Sequence, residues 1–202
     1  GSGTVRVKLD DVIRQYGLQF TADFQIRFQH HGTQPAKKDG IDWQQIRVEA
    51  VPLPTAQKVT PAQPYVQNFT AALPQGVAGF EYYTTGEGRN RVVDGRWVQD
   101  DAIKNKTPSL NKGILHLDLA GQQDVWLTVD YNHLNKKVDR LPARFTGQAN
   151  GDGIAISDDG WTWHTIASSN LLRSGTLRFE LDPLMQQFGL DGLDQLPALE
   201  TA

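Results

Sequence analysis

One segment of this chain is written twice. Ser2 to Leu18 reads SGTVRVKLDDVIRQYGL, and Ser174 to Leu190 reads SGTLRFELDPLMQQFGL, aligned without a gap. Nine of the seventeen positions are identical, and most of the others exchange like for like. Each copy opens with alternation: Val5, Val7 and Leu9 with Arg6 and Lys8, then Leu177, Phe179 and Leu181 with Arg178 and Glu180. A period of two is the pattern of a strand with one buried face. Asp10 and Asp182 follow where a helix N-cap belongs, and Pro183 suits a first helical position. Val12, Ile13 and Tyr16, matched by Leu184, Met185 and Phe188, give a short apolar face that Gly17 and Gly189 terminate. Each copy is therefore expected to be strand, short helix, stop. With one copy near each end, the chain reads as one period of a longer repeat, cut out of phase with the domain it encodes.

Between the copies the pattern is that of many short strands. Phe24, Ile26 and Phe28 alternate with polar residues, and so do Ile46 and Val48. A Pro-rich run from Val51 to Pro64 favours extended backbone and reads as a linker or strap. Further strands are expected at Phe80–Tyr83, on both sides of Asp94-Gly95, at Ile114–Leu119, at Val125–Tyr131, at Ile154–Ile156 and at Trp161–Ile166. Asp94-Gly95 is the strongest hairpin signal in the chain. Some ten short strands, evenly spaced by polar turns, point to an all-β fold: an antiparallel jelly-roll β-sandwich with one or two short helices. The expected organisation is an arm over residues 1–50 carrying the closing strands of a sandwich, a linker over 51–64, the sandwich over 65–190 and a tail over 191–202.

Composition removes several function classes. The 202 residues can bury a sizeable core. A net charge of −3 with scattered Lys and Arg argues against nucleic acid as a partner. No stretch approaches the length of an apolar membrane span, and the first residues do not resemble a signal peptide. Cysteine is absent, which rules out disulfides and thiolate metal sites. With five Glu in all, none forms the paired-carboxylate motif of jelly-roll glucanases. Gly-x-Ser-x-Gly and His-Glu-x-x-His are missing as well, so no catalytic residue is assigned and a non-enzymatic role is expected.

The stretch Gly151-Asp152-Gly153-Ile154-Ala155-Ile156-Ser157-Asp158-Asp159-Gly160-Trp161-Thr162-Trp163 resembles the strand-turn-strand of extracellular concanavalin-like jelly-roll modules. MAM domains, reelin repeats and the cleaved-adhesin modules of bacterial surface proteins are of this type. The same stretch is similar to the Asp-box hairpin of sialidase-type propellers, one residue short of that spacing. A wider likeness to bacterial surface repeats runs from Glu87-Gly88-Arg89 through Asp94-Gly95 and Asp100-Asp101 to Leu110-Asn111. It implies an extracellular or cell-surface module, and a structural Ca²⁺ held in loops. It also implies that the closing strands follow the sandwich, whereas here they precede it. A sandwich lacking its last strands exposes open edges. The arm then folds back in a circular permutation, or completes a neighbouring copy by strand donation, or belongs to a tandem array.

Four loop aspartates, Asp100, Asp101, Asp139 and Asp152, offer the hard oxygen ligands that suit Ca²⁺, with turn formation as the competing role. Trp126 and Trp161 are candidates for glycan binding, with core packing as the alternative for the tryptophans as a group. Phe24, Ile26, Phe28, Ile46 and Val48 are the expected self-association surface. Two readings result: a structural module assembling into a fibre or surface layer through donated strands, or a carbohydrate-binding or adhesion module of a larger surface protein.

Overall fold

A computed structural model describes residues 7–29, 44–50, 53–70, 73, 78–103, 107–132, 138–168 and 174–190 of the chain. The chain divides into two compact units, Gly1–Leu53 and Pro54–Ala202. The described residues are all-β in character, with two short helices and sheets that are antiparallel except for one short pair.

Among the described residues of the first unit the regular element is helix α1, Leu9–Tyr16. Asp10 and Asp11 lie in its first turn and Arg14 in its last, the arrangement that suits the helix dipole. Gly17 ends it in the left-handed conformation (φ 64°), and Leu18 N–H bonds Ile13 C=O at 2.9 Å. This six-to-one bond closes a Schellman stop, for which glycine is the natural residue. The residue before the helix, Lys8, holds the N-cap position, so the cap expected at Asp10 is corrected by two positions. Residues 24–29 and 44–50 carry no strand. Alternation at Phe24–Phe28 and Ile46–Val48 meets the side-chain requirement of a strand, but a strand also needs a ladder partner, and none pairs there among the described residues.

Among its described residues the second unit contains eleven strands. β1 (Gln57–Lys58) lies inside the Pro-rich run and pairs in parallel with β6 (Leu117–Asp118). β2 (Phe80–Thr84) pairs antiparallel with β5 (Asn111–Leu115). β3 (Gly88–Val93) and β4 (Arg96–Asp101) form the expected hairpin, and Asp94 and Gly95 both take positive φ, 49° and 69°. Two such residues make the two-residue turn whose twist matches the strands it joins. β8 (Arg144–Thr146), β10 (Thr162–Ala167) and β9 (Ile154–Ile156) form a three-stranded sheet in that order. β7 (Trp126–Tyr131) pairs with β11 (Gly175–Glu180), which runs directly into helix α2 (Leu181–Phe188). The sheets are small and none closes on itself among the described residues.

Two apolar clusters hold this unit. In the first, the Trp97 indole meets Phe69, Phe80 and Tyr82 with ring centroids 5.6–5.8 Å apart. Gly113 lies beneath it, where an added Cβ would come within 2.4 Å of the indole, so the strand needs glycine there to let the ring down. Asn90 ties the cluster to its strands. Its Nδ2 donates to the carbonyls of Tyr83 and Lys112, at 3.2 and 3.4 Å, while its Oδ1 accepts from Trp97 Nε1 and Gln99 Nε2, each at 3.1 Å. One amide thus joins β2, β3, β4 and β5. In the second cluster, His164 of β10 is 8% exposed and stacks on Phe188 of α2 at 4.6 Å; Leu190 and Ala167 are each 4% exposed.

Candidate functional site: the docked strand and helix

The second copy of the repeated segment is attached to its unit at several specific points. β11 lies along β7 in continuous register from Gly175 opposite Tyr131 to Glu180 opposite Trp126. Thr176 Oγ1 donates to Asp130 Oδ1 at 2.5 Å, and Ser174 Oγ donates to Asn132 Oδ1. The Arg178 guanidinium lies 4.1 Å from the centroid of the Trp126 ring, a cation–π contact on the outer face. Strand becomes helix without a loop, and Glu180 takes the N-cap position. Asp182 is therefore in the first turn and does not cap α2, a second correction of two positions. Its carboxylate accepts instead from the backbone N–H groups of Asp124 (3.2 Å) and Val125 (2.8 Å), while Leu181 N–H bonds Val125 C=O at 2.8 Å. These bonds hold the turn in which Asp124, a non-glycine residue, takes φ 55°. Pro183 falls in the first turn, where its missing N–H costs nothing. At the far end Gly189 is left-handed (φ 64°) and Leu190 N–H reaches Met185 C=O at 2.9 Å, the same stop as in α1.

Matched positions in the two copies have different surroundings. Leu190 is buried at 4% exposure, and its counterpart Leu18 is 50% exposed. Phe188 stacks on His164, and its counterpart Tyr16 is 66% exposed. A cavity of about 230 Å³ lies beside α2, lined by Leu119, Val125, Met185 and Gln186 among others. It is smaller than the roughly 300–1,000 Å³ typical of small-molecule sites.

The four aspartates expected in loops are not brought together, and Asp100 and Asp101 lie in strand β4. Asp100 is clasped on the outer face of the β3–β4 hairpin by Arg89 (2.6 and 3.0 Å) and Arg91 (3.4 and 2.6 Å). Those guanidinium groups hold its carboxyl well below the ordinary range, and the same hydrogen bond raises the pKa of Arg89. Asp101, next in the strand, points to the opposite face and accepts from Ser109 Oγ. Asp139 and Asp152 do meet: Asp139 N–H donates to the Asp152 carboxylate at 2.9 Å, and Asp152 N–H donates to Asp139 C=O at 2.6 Å. Among the described residues no group of three or more His, Asp or Glu side chains is placed to hold a metal ion. The proposed set does not fit a shared Ca²⁺ site, since Asp100 would have to surrender two arginines to join one.

Of the two tryptophans, Trp126 is 47% exposed with Arg178 on its ring. Trp161 is half-buried and closes over Gly147, whose Cβ would stand 2.9 Å from the ring. The five arm residues are exposed except Phe24, which is half-buried and meets Phe20 edge-on at 5.2 Å.

The turn at Ser157–Thr162 is organised by Asp159. Its Oδ1 accepts from Trp161 N–H (2.6 Å), Thr162 N–H (2.7 Å) and Ser157 Oγ (2.9 Å), and Ser157 Oγ accepts from Gly160 N–H. Burial opposes the charge, but these hydrogen bonds outweigh it and lower the pKa to about 2. Tyr82 goes the other way: burial, reinforced by nearby Tyr65, pushes its phenol up to about 12.

Sequence reading missed Asn90, the reach of Asp182 to the 124–125 turn, and the His164–Phe188 stack. Asn90 left one trace, a short amide set between Arg89 and Arg91. Comparison with protein-family models, with curated proteins and with solved structures finds no match to this chain.

Proposed function

We propose that this chain is a non-enzymatic structural module of the extracellular jelly-roll kind that self-associates by donated segments into a fibre or surface layer. The observation that supports it most is the pair of twin units: the same helix with the same glycine stop, docked in one copy and exposed in the other. Ile26, Phe28, Ile46 and Val48 add exposed apolar surface in the same unit as α1, the kind of surface that marks an interaction site when contiguous. Light scattering after size exclusion, across a concentration series, tests the proposal. Oligomers whose population grows with concentration are expected, and a monomer at every concentration would sink it. Electron microscopy of the native material then distinguishes fibre from closed ring.

A second reading, carbohydrate binding, is favoured by one observation: the exposed Trp126 on the outer face of β7. Its test is glycan-array binding that is lost in Trp126→Ala.

A further inference from the structure

The docked copy can be compared position by position with the exposed one. Each residue that attaches residues 174–190 to the rest of their unit can be asked what stands at its twin position. Asp182, which holds the 124–125 turn, is matched by Asp10. Leu181 is matched by Leu9, the buried Leu190 by Leu18, and the left-handed Gly189 by Gly17. Phe188, stacked on His164, is matched by another aromatic, Tyr16. In the strand part Ser174, Thr176 and Arg178, which contact Asn132, Asp130 and Trp126, are matched by Ser2, Thr4 and Arg6; these three twins lie outside the described residues. The non-conservative differences fall at exposed positions, Pro183 against Asp11, Gln186 against Arg14 and Glu180 against Lys8, while the half-buried Leu177, Phe179, Leu184, Met185 and Phe188 are matched by other apolar or aromatic residues. Six of the nine identities, at 174, 176, 178, 181, 182 and 190, fall at attachment points, the pattern of two segments made for one kind of slot.

We infer that residues 2–18 of one copy of this chain dock along β7 and against His164 of a second copy, in the place its own residues 174–190 otherwise hold. The inference rests on the self-association reading and names its donor, its acceptor and its register. The exchange trades like for like: a carboxylate on the same two N–H groups, an aromatic on the same imidazole, a leucine in the same pocket. Val5, Val7 and Val12 replace the bulkier Leu177, Phe179 and Leu184, so the exchange is carried by concentration, as in domain swapping. Donor and acceptor are different surfaces, so the contact is head-to-tail and propagates unless the rotation closes.

Because the native chain has no cysteine, paired substitutions report the register directly. Val7 is the twin of Phe179, which stands opposite Leu127 in the ladder, and Lys8 is the twin of Glu180, opposite Trp126. Cross-strand partners lie within disulfide reach. Full-length V7C is mixed with full-length L127C and oxidised gently, and K8C with W126C serves as a second pair should L127C fail to fold. A bond between chains is expected in both register-matched mixtures, several-fold more than in V7C with V129C. Leu190→Asp in the acceptor chain loosens its own segment and should raise the yield; Leu18→Asp in the donor should abolish it. Oligomers by light scattering without the register-matched bond would overturn this route while leaving self-association standing. Absence of oligomers would remove both. A bond formed within single chains of the V7C/L127C double variant at high dilution would place the segment in its own slot and overturn the second copy as partner.

Discussion

At the scale of single residues, polar side chains at strand ends and turns do more of the organising than the apolar ones. Asn90 satisfies two carbonyls and receives two donors, one of them the indole N–H of Trp97. Asn90→Leu leaves those donors unpaired beside an apolar cluster and should cost about 1–3 kcal/mol in urea unfolding, more than a surface substitution of similar size. Asp100 and Asp159 both titrate below the ordinary carboxylate range. A carboxyl with a depressed folded pKa contributes stability that is complete above its unfolded value, near 4, and is lost as pH falls through the folded value. For Asp159 the window runs from about pH 4 to about 2, and for Asp100 it extends lower. The urea midpoint should therefore fall steeply below about pH 4, and Asp159→Asn should flatten part of that fall. At neutral pH the same substitution should cost only about 1 kcal/mol, because the exposed site is screened by solvent. Neither carboxylate was assigned this role from sequence. Asp100 stood out as an acidic turn residue, and the arginines opposite it became partners only through the hairpin register.

At the scale of elements, legibility tracked how local the determinant was. The Asp94-Gly95 hairpin and both glycine helix stops could be read because two or three adjacent residues dictate their dihedrals. The helix starts were displaced because Asp10 and Asp182 look like caps by type, whereas the Asp182 carboxylate finds better donors across the fold at positions 124 and 125. The parallel pairing of β1 with β6 joins two dipeptides sixty residues apart in sequence, and nothing in either announces the other. Phe24–Phe28 failed in the opposite sense: it has the alternation of a strand and no ladder. The twin units make an internal control at this scale. Leu190→Ala removes a buried side chain and should cost about 2–5 kcal/mol, whereas Leu18→Ala, at a half-exposed position, should stay within about 0.5 kcal/mol in dilute solution. Thermal unfolding of the two variants side by side checks the contrast.

At the scale of the whole molecule, the division at Leu53 and Pro54 governs how the chain should respond to cleavage. Thermolysin cuts before exposed aliphatic residues, and Ile46 and Val48 lie exposed outside any ladder. The first cuts are expected within residues 44–53, leaving a resistant fragment that contains β1 to α2; mass spectrometry of early time points would show it, and early cuts within the β7–β11 ladder would contradict it. The all-β class was readable from the density of short strands. The assignment of each strand to its sheet was not, because alternation records which side of a strand is covered and not by what. The described sheets of the second unit are several and small, and no described side chain is wholly withdrawn from solvent. Since the heat-capacity increment of unfolding scales with the apolar surface that becomes hydrated, this molecule should show less than the roughly 12–15 cal/mol/K per residue of ordinary globular domains. Its free energy of unfolding would then vary gently with temperature.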